Sequence, residues 1–88
     1  MKILVIDDDP AMTDLLKVLL APTGALILTA LTGQDGLAQA SQHNPDIIIL
    51  DLMMPEMDGW QVCRKVRETS KTPILILSAL DSPGMVAA

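Results

Sequence analysis

Two aliphatic runs in this chain end in carboxylates. Ile3-Leu4-Val5-Ile6 runs into Asp7-Asp8-Asp9, and Ile47-Ile48-Ile49-Leu50 runs into Asp51. A strand with one wet face alternates apolar and polar residues, whereas an unbroken aliphatic run reads as a parallel strand covered on both faces. Ligands of open α/β sheets sit outside the carboxyl ends of the strands. If these two strands are neighbours, Asp7, Asp8 and Asp51 meet at one edge of the sheet. Carboxylates crowded together repel and partly hold protons unless a cation sits among them. A hard divalent ion such as Mg²⁺ takes oxygen ligands and keeps waters, so it can also accept phosphate oxygens. The site would then suit phosphoryl transfer to a carboxylate, giving an acyl phosphate. Ser78 follows a further aliphatic run, Ile74-Leu75-Ile76-Leu77, and could present a hydroxyl to the phosphoryl group. Acids at strand ends are also found merely solvated or capping helices. That is the reading for Asp9, which stands before Pro10. Convergence of three acids on one edge favours a site for Asp7, Asp8 and Asp51.

The rest of the chain supplies the elements that must bring these acids together. After the first strand, Met12, Leu15, Leu16, Leu19 and Leu20 recur at helical spacing and form one apolar stripe, with Met12 assigned to the core. Pro22 and Gly24 stop that helix. Ala25 to Ala30 is a shorter and less uniform strand, placed nearer an edge. Thr32 can cap a second helix, with Asp35 three residues on as a weak capping box. This helix carries Leu37, Ala38 and Ala40 and ends before Asn44-Pro45. The strand Asp46 to Asp51 comes next, as the centre of the sheet. Pro55 has no ladder donor and Gly59 relaxes the backbone, so residues 52–59 read as a loop over the strand's end. Trp60, Val62, Cys63 and Val66 mark a third helix ending near Glu68. Pro73 introduces the strand Ile74 to Leu77, and Asp81-Ser82-Pro83 reads as the start of a fourth helix. Strands alternating with helices mean a parallel sheet with right-handed crossovers.

Composition sets the bounds. Eighty-eight residues allow one domain, 1–88, and so short a chain buries only somewhat over ~60% of its unfolded surface. Half the residues are apolar, nearly all aliphatic, with one Trp and no Phe or Tyr. A net charge of −5 opposes nonspecific binding to nucleic acid or an anionic membrane by this segment alone. A single cysteine excludes an internal disulfide, which agrees with a reducing, cytoplasmic setting. The opening apolar run is too short for a signal peptide, and no run approaches the ~20 residues that span a bilayer. His43 reads as a solvated helix-end residue, Cys63 as core, and Trp60 as a half-packed reporter beside the acidic loop. Arg64, Lys65 and Arg67 read as a solvated helix face. Gly33 and Gly36 lack the spacing and the lysine of a phosphate loop.

Residues 3–10, residues 45–59 and the run Pro73-Ile74-Leu75-Ile76-Leu77-Ser78-Ala79 together resemble the receiver domain of bacterial two-component response regulators. The resemblance covers the whole chain. It implies a flavodoxin-like three-layer α/β/α fold with a parallel sheet in the order 2-1-3-4, lacking the family's fifth strand and fifth helix. It implies that Asp51 accepts a phosphoryl group from a histidine kinase. By the same resemblance Mg²⁺ would be held by Asp7, Asp8, Asp51 and the backbone carbonyl of Met53. Ser78 would move to bond the phosphoryl oxygen. The segment Asp51-Leu52-Met53-Met54-Pro55 is most similar to regulators with a winged-helix DNA-binding output domain, so DNA is expected as a partner only through such a domain.

The family also places a lysine after its fifth strand, and none of these residues corresponds to it, since Lys71 precedes the fourth. The aromatic switch residue of the fifth strand is likewise absent from the 88 residues. The expectation is therefore a receiver truncated before its fifth strand and impaired in signalling. Its outer strand, Ile74 to Leu77, has no charge, proline or glycine, and would self-associate through an open edge. Two rival readings remain. One is a binding-only module that keeps the fold without phosphorylation-dependent output. The other is a Mg²⁺-dependent phosphatase with an aspartyl nucleophile, but such enzymes commonly carry a second acid two residues on, and Met53 stands there.

Overall fold

A computed structural model of the protein describes residues 1–52, 54 and 58–77. The aliphatic runs form strands β1 (Lys2–Ile6), β2 (Leu26–Ala30), β3 (Ile47–Asp51) and β4 (Ile74–Leu77). The helices between them are α1 (Pro10–Leu20), α2 (Gly33–His43) and α3 (Gly59–Thr69), with a single 3₁₀ turn at Ala21–Thr23 after α1. All strand pairs are parallel, and the sheet order is β2-β1-β3-β4. This is the flavodoxin-like order expected from the sequence, with helices on both faces. The aliphatic β1 and β3 are interior strands, and the less uniform β2 lies at an edge, as its composition predicted.

Register assigns the side chains to two faces, because paired residues in parallel strands point the same way. Leu4, Ile6, Ile48 and Leu50 lie on one face, packed with Val62 and Val66 of α3 and with Leu37 and Ala40 of α2. Each of the four strand residues is fully buried, a contribution of about 1.5–3 kcal/mol apiece before chain entropy is counted. Ile3, Val5 and Ile49 lie on the opposite face beneath Leu16 and Leu20 of α1.

Helix starts follow the side chains that can cap them. The carboxylate of Asp9 accepts from the Ala11 amide at the start of α1, and the Thr32 hydroxyl accepts from the Asp35 amide at the start of α2. Asp35 itself does not complete a box; its carboxylate accepts from Gln39 Nε2. A true capping box opens α3, where Asp58 and Gln61 bond each other's backbone amides reciprocally. Asp58, expected in the loop, is therefore the N-cap of α3. Asn44 ends α2 at φ 48°, a left-handed position that asparagine tolerates.

Helix α1 corrects one expectation. Of its apolar stripe, only Leu16 and Leu20 pack on the sheet, while Met12 is 36%, Leu15 50% and Leu19 61% exposed. Met12 is thus not a core residue. Helical spacing marks a band wider than the seam by which one helix touches a sheet. Among the described residues no second helix shares that face of the sheet with α1. Thr13 is buried instead, its hydroxyl donating to the Pro10 carbonyl.

Candidate functional site

The three acids converge as the sequence predicted. Ile6 and Leu50 are register partners in adjacent strands, so the next residues, Asp7 and Asp51, stand side by side at the carboxyl edge. From β1 the chain leaves toward α1 on one face, and from β3 it leaves toward α3 on the other, so the two connections diverge around the acids. One carboxylate oxygen each from Asp7, Asp8 and Asp51 lies within 4.8 Å of the others. Asp7 and Asp51 are each only 7% exposed, whereas Asp8 faces solvent.

Asp7 is fixed by its own neighbours. Its amide donates to the Ala30 carbonyl at 3.0 Å, tying the end of β1 to β2. Its carboxylate accepts from the Asp9 amide at 2.9 Å, which turns the chain toward α1. Burial holds the Asp7 carboxyl above its ordinary range, and although the Asp9 amide pulls it back, the charges of Asp51, Asp8 and Asp9 push it further up. Crowding of the carboxylates thus opposes ionisation of the buried one, a cost that a cation among them would offset. The donor set is all hard oxygen, so the residues present fit a hard divalent cation.

Helix α3 is locked to the same edge. The Gly59 amide donates to the Leu52 carbonyl at 3.1 Å. A Cβ at Gly59 would stand 2.6 Å from Leu52 Cα and 2.7 Å from the Asp51 carbonyl oxygen, so only glycine allows this approach. The residue just after Asp51 is thereby held against the start of α3, where Trp60 is 53% exposed. Sequence reading placed Gly59 in the loop and missed this role; its position one residue after a capping aspartate was the signal available.

Other expected residues fall as follows. Asp9 is a cap. Cys63 is half-buried against the core of the α2–α3 face. His43 ends α2 at the opposite edge of the sheet, where its carbonyl accepts from Lys2 Nζ at 3.0 Å. Gly36 packs on Ile6, where a Cβ would meet Ile6 Cδ1 at 2.5 Å, so it serves helix packing. Lys71 precedes β4 and so lies at the edge away from the acids. Met53 and Ser78 lie outside the described residues, as does the expected helix at Asp81-Ser82-Pro83. No helix among the described residues is long and apolar enough to cross a membrane.

Comparison with known proteins agrees with this geometry. The sequence profile of the response regulator receiver domain matches residues 3–88. The chain is 45% identical over 82 residues to the DNA-binding dual master transcriptional regulator RpaA of Synechocystis, covering 90% of this chain and 34% of that protein. It is 42% identical over 77 residues to the transcriptional regulatory protein AfsQ1 of Streptomyces coelicolor, covering 88% and 34%. The chain thus spans about a third of the length of these curated relatives. Among solved structures, the response regulator TrrA of Thermotoga maritima in complex with Mg²⁺-BeF superposes with a TM-score of 0.85 at 37% identity, covering 91% of this chain and 70% of that one. From its acidic edge, its strand order and a family match running from the first strand to the last residue, the chain belongs to the response regulator receiver domain family.

Proposed function

We propose that Asp51 is the phosphoacceptor of this chain, taking its phosphoryl group from a histidine kinase with Mg²⁺ as cofactor. The observation that carries this reading is the meeting of Asp7, Asp8 and Asp51 within 4.8 Å at the carboxyl ends of adjacent interior strands. An Asp51 carboxylate oxygen attacks the phosphorus of a phosphohistidine. A P–O bond forms and the P–N bond breaks; the imidazole nitrogen keeps the electron pair and takes a proton from water. The product is an acyl phosphate, so the domain acts as a signalling phosphoacceptor and not as a turnover enzyme. Asp7, Asp8, Asp51 and the Met53 carbonyl are the residues that would hold Mg²⁺, which when bound supplies positive charge against the carboxylates and the phosphoryl oxygens. Asp7, held by the Asp9 amide, keeps one acid oriented before any ligand arrives. Ser78 is assigned the hydroxyl that bonds the phosphoryl oxygen.

The Thermotoga structure with Mg²⁺-BeF supports the cofactor, and the transcriptional regulators among the relatives support a cytoplasmic role upstream of a DNA-binding output. This segment alone, at net charge −5, is not assigned nucleic acid. The family's lysine after the fifth strand is not among these residues, so the 88-residue polypeptide by itself is expected to be phosphorylated slowly and in part. We further assign self-association of this polypeptide to β4. Among the described residues that strand pairs only with β3, and Leu75 on it is 52% exposed.

Intact-mass measurement after treatment with acetyl phosphate and Mg²⁺ tests the central assignment. One phosphoryl group should add to the wild type and none to Asp51→Asn; addition that survives the substitution would mean another residue accepts it. Titration with Mg²⁺ should change Trp60 fluorescence with an affinity near ~1 mM, because few protein ligands replace water. Asp8→Ala should abolish the change, and an unaltered response would remove Asp8 from the metal site.

A further inference from the structure

We infer that the groove between α2 and α3, at the edge of the sheet opposite the acids, binds a small organic anion with a compact apolar body. The groove has a volume of about 250 Å³. A cavity of ~150 Å³ holds a benzene ring, so this one has room for a ring and its head group. Its apolar lining is Leu37, Ala40, Ile48 and Val66. Its polar lining includes Ser41, Asn44, Lys65 and Thr69, whose side chains make no hydrogen bond to other described residues. An apolar floor with a few convergent polar groups above it is the usual build of a small-molecule site.

The sign of the ligand follows from charge. Lys65 lines the groove and no acid does. Four of the chain's six basic residues, Arg64, Lys65, Arg67 and Lys71, fall within residues 64–71, the segment from which Lys65, Val66, Thr69 and Ser70 line the groove. Arg64, Arg67, Lys71 and Glu68 of that segment lie outside the lining. The three clustered acids stand at the far edge of the sheet. In a chain of net charge −5, four basic residues against the single acid Glu68 within residues 64–71 give this segment a local field that draws an anion.

The rim is also held in shape. Arg67 donates to the Ser70 and Thr72 carbonyls, and the Ser70 and Thr72 hydroxyls bond each other at 2.6 Å. The hydroxyl of Ser70 also accepts from the Thr72 amide at 3.0 Å. The segment that closes the groove between α3 and β4 is therefore ordered before any ligand binds, which lowers the entropic cost of binding.

Benzoate is the probe. Amide shifts of the ¹⁵N-labelled chain should move saturably at Ala40, Asn44, Val66 and Thr69, with affinity on the order of millimolar for so few atoms. Benzyl alcohol, which keeps the ring without the charge, and acetate, which keeps the charge without the ring, should both bind more weakly. Lys65→Gln, at an exposed position, should weaken benzoate roughly two- to fivefold. Ala40→Leu, which fills the floor, should abolish the shifts; if its amide spectrum shows that it does not fold, Ser41→Trp on the exposed rim replaces it. Absence of saturable shifts, equal binding of benzyl alcohol, or benzoate affinity unchanged in both variants would each overturn the inference.

Discussion

Strands β1 and β3 carry Leu4, Val5, Ile6, Ile48 and Leu50 with no exposure at all, whereas β4 and the outer flank of α1 carry Leu75, Leu15, Leu19 and Val18 half exposed or more. The residue types are the same; the cover differs. At the centre, α2 and α3 close one face and α1 the other. At the flank, Leu75 shares a face with Ile49, to which it is register-paired, and α1 touches β1 and β2. The clustered acids grow from the sealed centre, where dense packing fixes the strand ends that carry them. Among the described residues the flank carries exposed apolar surface, the feature on which the proposed self-association rests.

The largest expected effect tests that contrast directly. Leu50→Ala should lower unfolding stability in urea by about 2–5 kcal/mol, because a fully buried side chain leaves a cavity. Leu75→Ala should cost under ~1 kcal/mol. Equal costs would mean that the centre is not the stabilising region.

Gly59→Ala should come next, at about 1–3 kcal/mol, since its Cβ meets backbone of Leu52 and Asp51 that cannot turn aside. It should also weaken the Trp60 response to Mg²⁺ by displacing the end of β3. Gly36→Ala should cost less, because its Cβ meets only the side chain of Ile6. A larger loss at Gly36 would show that the lock between Leu52 and Gly59 is not tight.

Asp7→Asn should act in the opposite direction on stability, raising it by about 0.5–2 kcal/mol without metal while abolishing the Mg²⁺ response. The pH dependence follows from the raised Asp7 carboxyl. The folded chain holds this proton above the ordinary value of 3.8 at which an unfolded aspartate releases it. Its contribution to stability is therefore full below that value and falls as pH rises through the folded one. Acidification from neutrality should narrow the gap between wild type and Asp7→Asn and should weaken Mg²⁺, which competes with the proton. A gap that widens on acidification would reverse the assigned cause.

Leu75→Lys should have the smallest effect on folding, within about 0.5–1 kcal/mol. It should shift sedimentation of the 88-residue polypeptide toward the monomer. A wild-type polypeptide that stays monomeric at ~100 μM, a level at which contacts of modest affinity would populate a dimer, removes the β4 edge as an interface.

Features that are local or periodic in the chain were legible from the residues alone. Unbroken aliphatic runs made β1, β3 and β4 legible, and Asp9, Thr32 and Asn44-Pro45 bounded helices, because caps and turns act within a few residues. The acids at the ends of two such runs already pointed to the carboxylate cluster. Tertiary structure decided what depends on neighbours distant in the chain. Register placed Asp7 beside Asp51, and the connections that follow them lead to helices on opposite faces of the sheet. It withheld cover from Met12, Leu15 and Leu19, because helical spacing records which side chains share a side of a helix and not how much of that side another element reaches. It gave Gly59 its purpose through contact with Leu52 and Asp51. It also raised the Asp7 carboxyl, since burial and neighbouring charge exist only once separate strands have met.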